Sequence, residues 1–238
     1  MIMGKMNKEE LIEIYNKYVS INYTEENKMK YVPLPFELNN KKWKWEGKDF
    51  PRVISLLEFR EYVLADNRVF DSVLSFNGDV GANGNDPEFE YLKYHSWYNY
   101  NYQDNEKYDL HHLELEKKDF DFAMLNQTIE HLYNPILALT NIYNHMAVGG
   151  IFYANVPVNS IPHDDPLHFY TGVTMMGLGM MMKVAGFDIL KLGQWGNQKY
   201  LRDSHDDKVW QDYTYSNHPG LNEFGFPLTA WCWAIKTE

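Results

Sequence analysis

The chain has 238 residues, 45% of them hydrophobic and 16% aromatic, a composition that excludes disorder and supplies one sizeable core. Its net charge of -11 at pH 7 disfavours a nucleic-acid partner, because such a surface repels phosphate. Its one cysteine, Cys232, excludes an internal disulfide and a thiolate metal site, and no apolar run reaches the roughly 18–20 residues of a membrane span.

Glu9, Glu10 and Glu13 interrupt the N-terminal stretch where a secretory signal would be apolar, so a cytoplasmic location is expected. Leu11, Ile12, Tyr15 and Val19 recur at helical spacing and predict a helix over 7–20. Residues 21–50 read as loops. Their aromatic-basic stretch, Lys41 to Trp45, suits either packed rings with outward lysines or a stacking patch for a single strand. Asp49-Phe50-Pro51 marks a helix start, with proline in the first turn, and the helix continues over 53–64. Residues 1–65 are expected as a helical and loop extension packed on an α/β domain of residues 66–238.

A short apolar run over 69–76 predicts a strand entering the glycine-rich turn 77–85. Asp86-Pro87 opens a further helix, 94–100 is strand-like, and 120–125 is a buried strand. Asn134-Pro135 caps and starts the best helix in the chain, with Ile136, Leu139, Tyr143 and Met146 as its inner face. Gly149-Gly150 is expected to end that helix before a strand over 151–156. A helix over 174–185, closed by Gly186, precedes a strand over 187–192. Residues 193–225 read as irregular, and 228–235 as a final strand. Alternating strands and helices with short crossovers imply a mainly parallel sheet covered on both faces. Ligands of such sheets bind beyond the C-terminal ends of the strands.

The order of these signals over residues 69–192 resembles the class I S-adenosylmethionine-dependent methyltransferases, in particular the type 11-like group. The resemblance is carried by Phe120-Asp121-Phe122-Ala123-Met124-Leu125, then Glu130-His131-Leu132, Asn134-Pro135, Gly149-Gly150 and a strand ending at Pro157. Asp165-Pro166-Leu167-His168-Phe169-Tyr170 and Ala185-Gly186-Phe187 continue it. It implies a Rossmann-like seven-stranded, mostly parallel sheet with an antiparallel last strand set between neighbours. It also implies S-adenosylmethionine as cofactor, held by Ser75, Asn77, Gly78, Asp79, Gly81, Asn99, Asp109, Asn126 and Gln127. Ser75 stands where the family has an acid, and Asn77, Asp79 and Gly81 fall near its three glycines. Asn99 replaces the acid that accepts hydrogen bonds from the ribose. Asp109 is placed to hold the adenine, or equally to cap its own loop backbone.

Methyl transfer from a sulfonium needs orientation above all, and a base where the acceptor is a hydroxyl or amine. His168, His163 and His131 are the candidates. His111-His112, and His163-Asp164-Asp165 with His168, contain metal-ligand types. Neither matches a zinc or calcium spacing, so no metal is expected. The rings around 97–102 and 213–215 suit an acceptor pocket or a homodimer contact. The activity expected is methyl transfer to a small-molecule, sugar or glycan acceptor. The alternative is a methyltransferase-like binding or assembly protein without catalysis, favoured by the departures at Ser75, Asn77, Asp79 and Asn99.

Overall fold

The computed structural model describes residues 6–29, 50–76, 87–101, 105–207 and 221–238. Six strands form one sheet: β1 (Val69–Ser75), β2 (Lys93–Asn99), β3 (Phe120–Asn126), β4 (Met146–Pro157), β5 (Asp188–Gly196) and β6 (Pro227–Ile235). Their order is β2-β1-β3-β4-β6-β5. β1 pairs in parallel with β2 and β3, and β3 with β4, while β6 runs antiparallel between β4 and β5. The last strand therefore lies inside the sheet as expected, and it is buried along both faces. Six strands rather than seven are found among the described residues. Between β2 and β3 the described chain forms only two 3-10 turns, Glu106–Tyr108 and Leu110–His112.

Period-two alternation splits the core between the two faces. Along β6, Trp231 and Trp233 point to one side, and Ala230, Cys232 and Ala234 to the other. The tryptophan side is covered by α3 (Phe50–Asp66). Its Tyr62 and Phe59 stack on Trp233 at centroid distances of 3.8 and 5.1 Å. Arg52 on α3 forks onto the buried Glu88 of the 3-10 turn Pro87–Glu90, at 2.5 and 2.8 Å. Glu58 accepts from Lys191 of β5 at 2.8 Å. The small-residue side receives α4 (Pro135–His145) and α5 (Met175–Ala185).

The helix signals map onto caps. Asn134 accepts from the Leu137 N–H at 3.2 Å and Thr174 from that of Gly177 at 3.0 Å. Gly186 closes α5 in the left-handed region, φ 113°. The first helix is shorter than its periodicity predicts: α1 (Lys8–Ile14) passes into a π-helical turn, Tyr15–Val19. A second short helix, α2 (Glu25–Met29), follows.

Three expectations are corrected. The buried face of α4 is Ala138, Leu139, Ile142 and His145, not Ile136 and Tyr143, which are half-buried. Its rotation lets His145 accept from the Leu115 N–H while its other ring nitrogen meets the Asn141 carbonyl. Gly149-Gly150 does not end the helix, because α4 stops at His145 and the pair lies inside β4. There β4 bulges against β3, and a Cβ on Gly150 would sit 2.8 Å from the Ala147 carbonyl oxygen and 2.9 Å from that of Phe120. Residues 193–225 are not wholly irregular either. β5 runs to Gly196, and α6 (Gln198–Asp207) follows, with Tyr200 and Ser204 buried.

Candidate functional site at the strand ends

β1, β2, β3 and β4 are mutually parallel, so their C-terminal residues Ser75, Asn99, Asn126 and Pro157 share one edge of the sheet. Ser75 is buried and opposite Asn99 in register. Its hydroxyl donates to Asn99 Oδ1 at 3.0 Å and accepts from Trp97 Nε1 at 2.8 Å, and its carbonyl accepts from Tyr100 N–H at 3.0 Å. Ser75 is thus a neutral pin between β1 and β2. Asn77, Gly78, Asp79 and Gly81, the rest of the expected cofactor loop, lie outside the described residues.

At the ends of β3 and β4 three amides form a chain. Gln127 Nε2 donates to Asn155 Oδ1, and Asn155 Nδ2 donates to Asn126 Oδ1, both at 2.5 Å. Gln127 sits at φ 46°, held by its own N–H on the Asn155 carbonyl at 3.1 Å. Asn126 and Asn155 face each other in register. Asn126 and Gln127, both expected at the cofactor site, thus meet in one network with Asn155, which was not among the expected residues. The signal was an uncharged polar residue in an otherwise apolar strand, two positions before its terminating proline.

Asp109 caps the turn Leu110–His112. Its Oδ1 meets the His111 N–H at 2.9 Å and the His111 ring Nδ1 at 2.8 Å. Desolvation pushes this carboxyl up, but the two His111 hydrogen bonds and the attraction of His111 and His112 outweigh it, and the net shift is downward. His111 is buried, stacked on Tyr133 at 3.8 Å, and its Nε2 accepts from the Asn134 N–H at 3.3 Å. One oxygen of Asp109 is thus engaged in holding the loop that leads to α4.

The three catalytic candidates come together. His131 ends the 3-10 turn Ile129–His131 beyond β3, and His163 and His168 lie on the loop beyond β4. That loop is closed on itself by Ser160 N–H to the Thr171 carbonyl at 2.7 Å and Val173 N–H to the Pro157 carbonyl at 2.9 Å. Two further bonds, from Phe169 and Tyr170 N–H to the Glu130 carbonyl, dock it against His131. Ring centroids are 5.0 Å apart for His131 and His163, 5.5 Å for His131 and His168, and 4.7 Å for His163 and His168. Both ring nitrogens of His168 are buried without a hydrogen-bond partner among the described residues. Desolvation, then the neighbouring His163 and His131, hold its pKa below the ordinary histidine range. Behind His131, burial pushes the Glu130 carboxyl up to about 7, and its Oε1 lies 3.8 Å from His131 Nε2.

Comparison with known proteins bears on the fold. A family model described as a methyltransferase domain matches residues 84–154. Its match includes β2, β3, the Glu130-His131 pair and α4, and stops short of β1 and of residues 77–81. The sequence matches none of the curated proteins. Among solved structures, a putative methyltransferase from Bacillus halodurans is similar over 78% of this chain and 100% of its own, at 14% identity and a TM-score of 0.50. An S-adenosylmethionine-dependent methyltransferase from Clostridium acetobutylicum covers 81% of this chain and 94% of its own, at 13% identity and a TM-score of 0.49. The fold is that of the class I S-adenosylmethionine-dependent methyltransferases.

Proposed function

We propose that this chain binds S-adenosylmethionine across the ends of β1, β2 and β3 and transfers its methyl group to a small-molecule or sugar acceptor. The observation that carries the reading is the parallel edge that brings Asn99, the Asn126–Asn155–Gln127 chain and the histidine cluster to one side of a methyltransferase fold. Neutral amides supply hydrogen bonds to ribose and adenine without charge. In the reaction the acceptor's lone pair attacks the methyl carbon in line with sulfur. The carbon–sulfur bond would break with its electron pair left on sulfur, and the acceptor's proton would pass to water. The histidine cluster, on the loops beyond β3 and β4, is the element proposed to orient the acceptor.

A second reading has its own observation. The Ser75 hydroxyl is taken by Trp97 and Asn99, and among the described residues no carboxylate stands at the end of β1 or β2 to hold the cofactor's charge or its ribose. A non-catalytic binding module is built on the same fold without those groups. Incubation with S-adenosylmethionine and a panel of sugar and small-metabolite acceptors, read as release of S-adenosylhomocysteine, separates the two. Acceptor-dependent release supports methyl transfer. Cofactor binding with no release across the panel supports the binding module.

A further inference from the structure

We propose that His131, His163 and His168 form a binding site for a zinc-class divalent transition-metal ion. Among the described residues they are the one group of three metal-ligand side chains brought together, with one ligand atom from each lying within 4.8 Å of the others. No local spacing announces the site, since its members come from two loops that only the tertiary fold brings together.

Hydrogen bonds around the cluster orient two of its rings. His131 Nδ1 lies 3.1 Å from the Leu167 carbonyl oxygen, and His163 Nδ1 lies 2.8 Å from that of Ile161. A carbonyl oxygen can only accept, so in the neutral rings each Nδ1 carries the proton and each Nε2 keeps its lone pair, with Glu130 Oε1 3.8 Å from that of His131 and Asp164 Oδ2 4.0 Å from that of His163. Metal-bound histidines are oriented in this way, with the second ring nitrogen donating to a backbone carbonyl. His168 supplies the third donor. Its two buried nitrogens have no partner among the described residues, which is a costly arrangement unless something binds there.

The donor set selects the ion. Three imidazoles suit zinc, nickel, copper or iron, whereas magnesium and calcium require oxygen ligands. Three protein ligands leave a fourth position open for water or an acceptor oxygen, as in catalytic rather than structural zinc sites. Bonds of about 2.0–2.1 Å place the nitrogens of a tetrahedral site about 3.3 Å apart, so the rings must close by at most roughly 1.5 Å. His163 is exposed and able to make that movement. The loop already docks on Glu130 through the Phe169 and Tyr170 N–H groups, so little backbone ordering is required. The inference does not depend on methyl transfer, because ion binding is measured directly.

The test is a cobalt titration of the full chain after dialysis against a chelator, followed by visible absorption and calorimetry, with zinc as competitor. One equivalent of cobalt, displaced by zinc and not by magnesium, is expected. His163→Ala should weaken binding at least about tenfold, as should His168→Ala, while the exposed His205→Ala should leave it unchanged. Unfolding midpoints of the metal-free proteins show whether each variant folds, and His163→Ala is the substitution least able to disturb packing. Absence of stoichiometric binding in the wild type overturns the site, as does equal binding by the triple histidine variant.

Discussion

Ser75 donates its hydroxyl hydrogen to Asn99 Oδ1 at 3.0 Å, joining the last residues of β1 and β2 where a cofactor of this fold would lay its ribose. That bond leaves the polarity of Asn99 open to change, because a carboxylate at the same position accepts from Ser75 equally well. Asn99→Asp is expected to tighten S-adenosylhomocysteine binding about fivefold, on the order of 1 kcal/mol, since charge-assisted hydrogen bonds are stronger than neutral ones. Calorimetry checks it. Unchanged affinity would mean that Asn99 does not face the ribose.

The amide chain at the neighbouring strand ends supports both stability and site shape. Asn155→Leu removes the middle member and leaves Asn126 and Gln127 without it. A loss of about 1–3 kcal/mol is expected in urea unfolding, because polar groups there lose their partner. Cofactor binding should weaken as well, since the Gln127 side chain loses the bond to Asn155 that positions it. Full stability in the variant would show that the amides are satisfied in another way.

Arg52 and Glu88 are both buried and tie α3 to the turn before β2. Glu88→Gln removes the carboxylate that faces the buried guanidinium and is expected to destabilise the fold by about 1–3 kcal/mol, whereas replacing both residues by apolar ones should recover most of that loss. Denaturant midpoints of the single and double variants decide it. A double variant no better than the single one would assign the pair a role beyond charge compensation.

Much of this fold was readable in the chain because its signals are local. Asn134-Pro135 and Thr174 with Gly186 carry their own capping chemistry, and β6 is apolar throughout except for Thr229. α6 was not readable, because Gln198–Asp207 is nearly all polar and buries only Tyr200 and Ser204. The glycine pair of β4 reads as a helix stop, although Gly150 is there for the close approach of the Phe120 carbonyl across the sheet and Gly149 for its left-handed φ of 82°. In the site, single positions such as Asn126 and Gln127 could be named from strand ends. The Asn155 partnership and the three-histidine cluster could not, because each depends on which loops and registers meet in space.

Asp188, at the start of β5, is held below the ordinary carboxylate range first by its hydrogen bond from Lys183 and then by that from Thr237. A depressed folded pKa gives stability that is present above the unfolded carboxyl value of about 3.9 and lost as pH falls through the folded value. Wild type should therefore lose its advantage over Asp188→Asn as pH drops below about 4. Thermal midpoints of the two proteins across that range check the sign. A constant difference down to the lowest pH would remove the linkage.

Burial pushes the Cys232 thiol well above the ordinary range, and the side chain is enclosed within the sheet. Iodoacetamide is expected to leave the native protein unlabelled, with no acceleration as pH passes the ordinary thiol value of about 8.5, and to label it fully in denaturant. Mass spectrometry reads the outcome. Rapid native labelling would mean that the sheet opens locally at β6.

The most direct test of the account is calorimetric titration of the purified full chain with S-adenosylmethionine and S-adenosylhomocysteine. The account predicts micromolar binding of at least one of them, weakened by Asn155→Leu. Folded protein that binds neither ligand at millimolar concentration would contradict it.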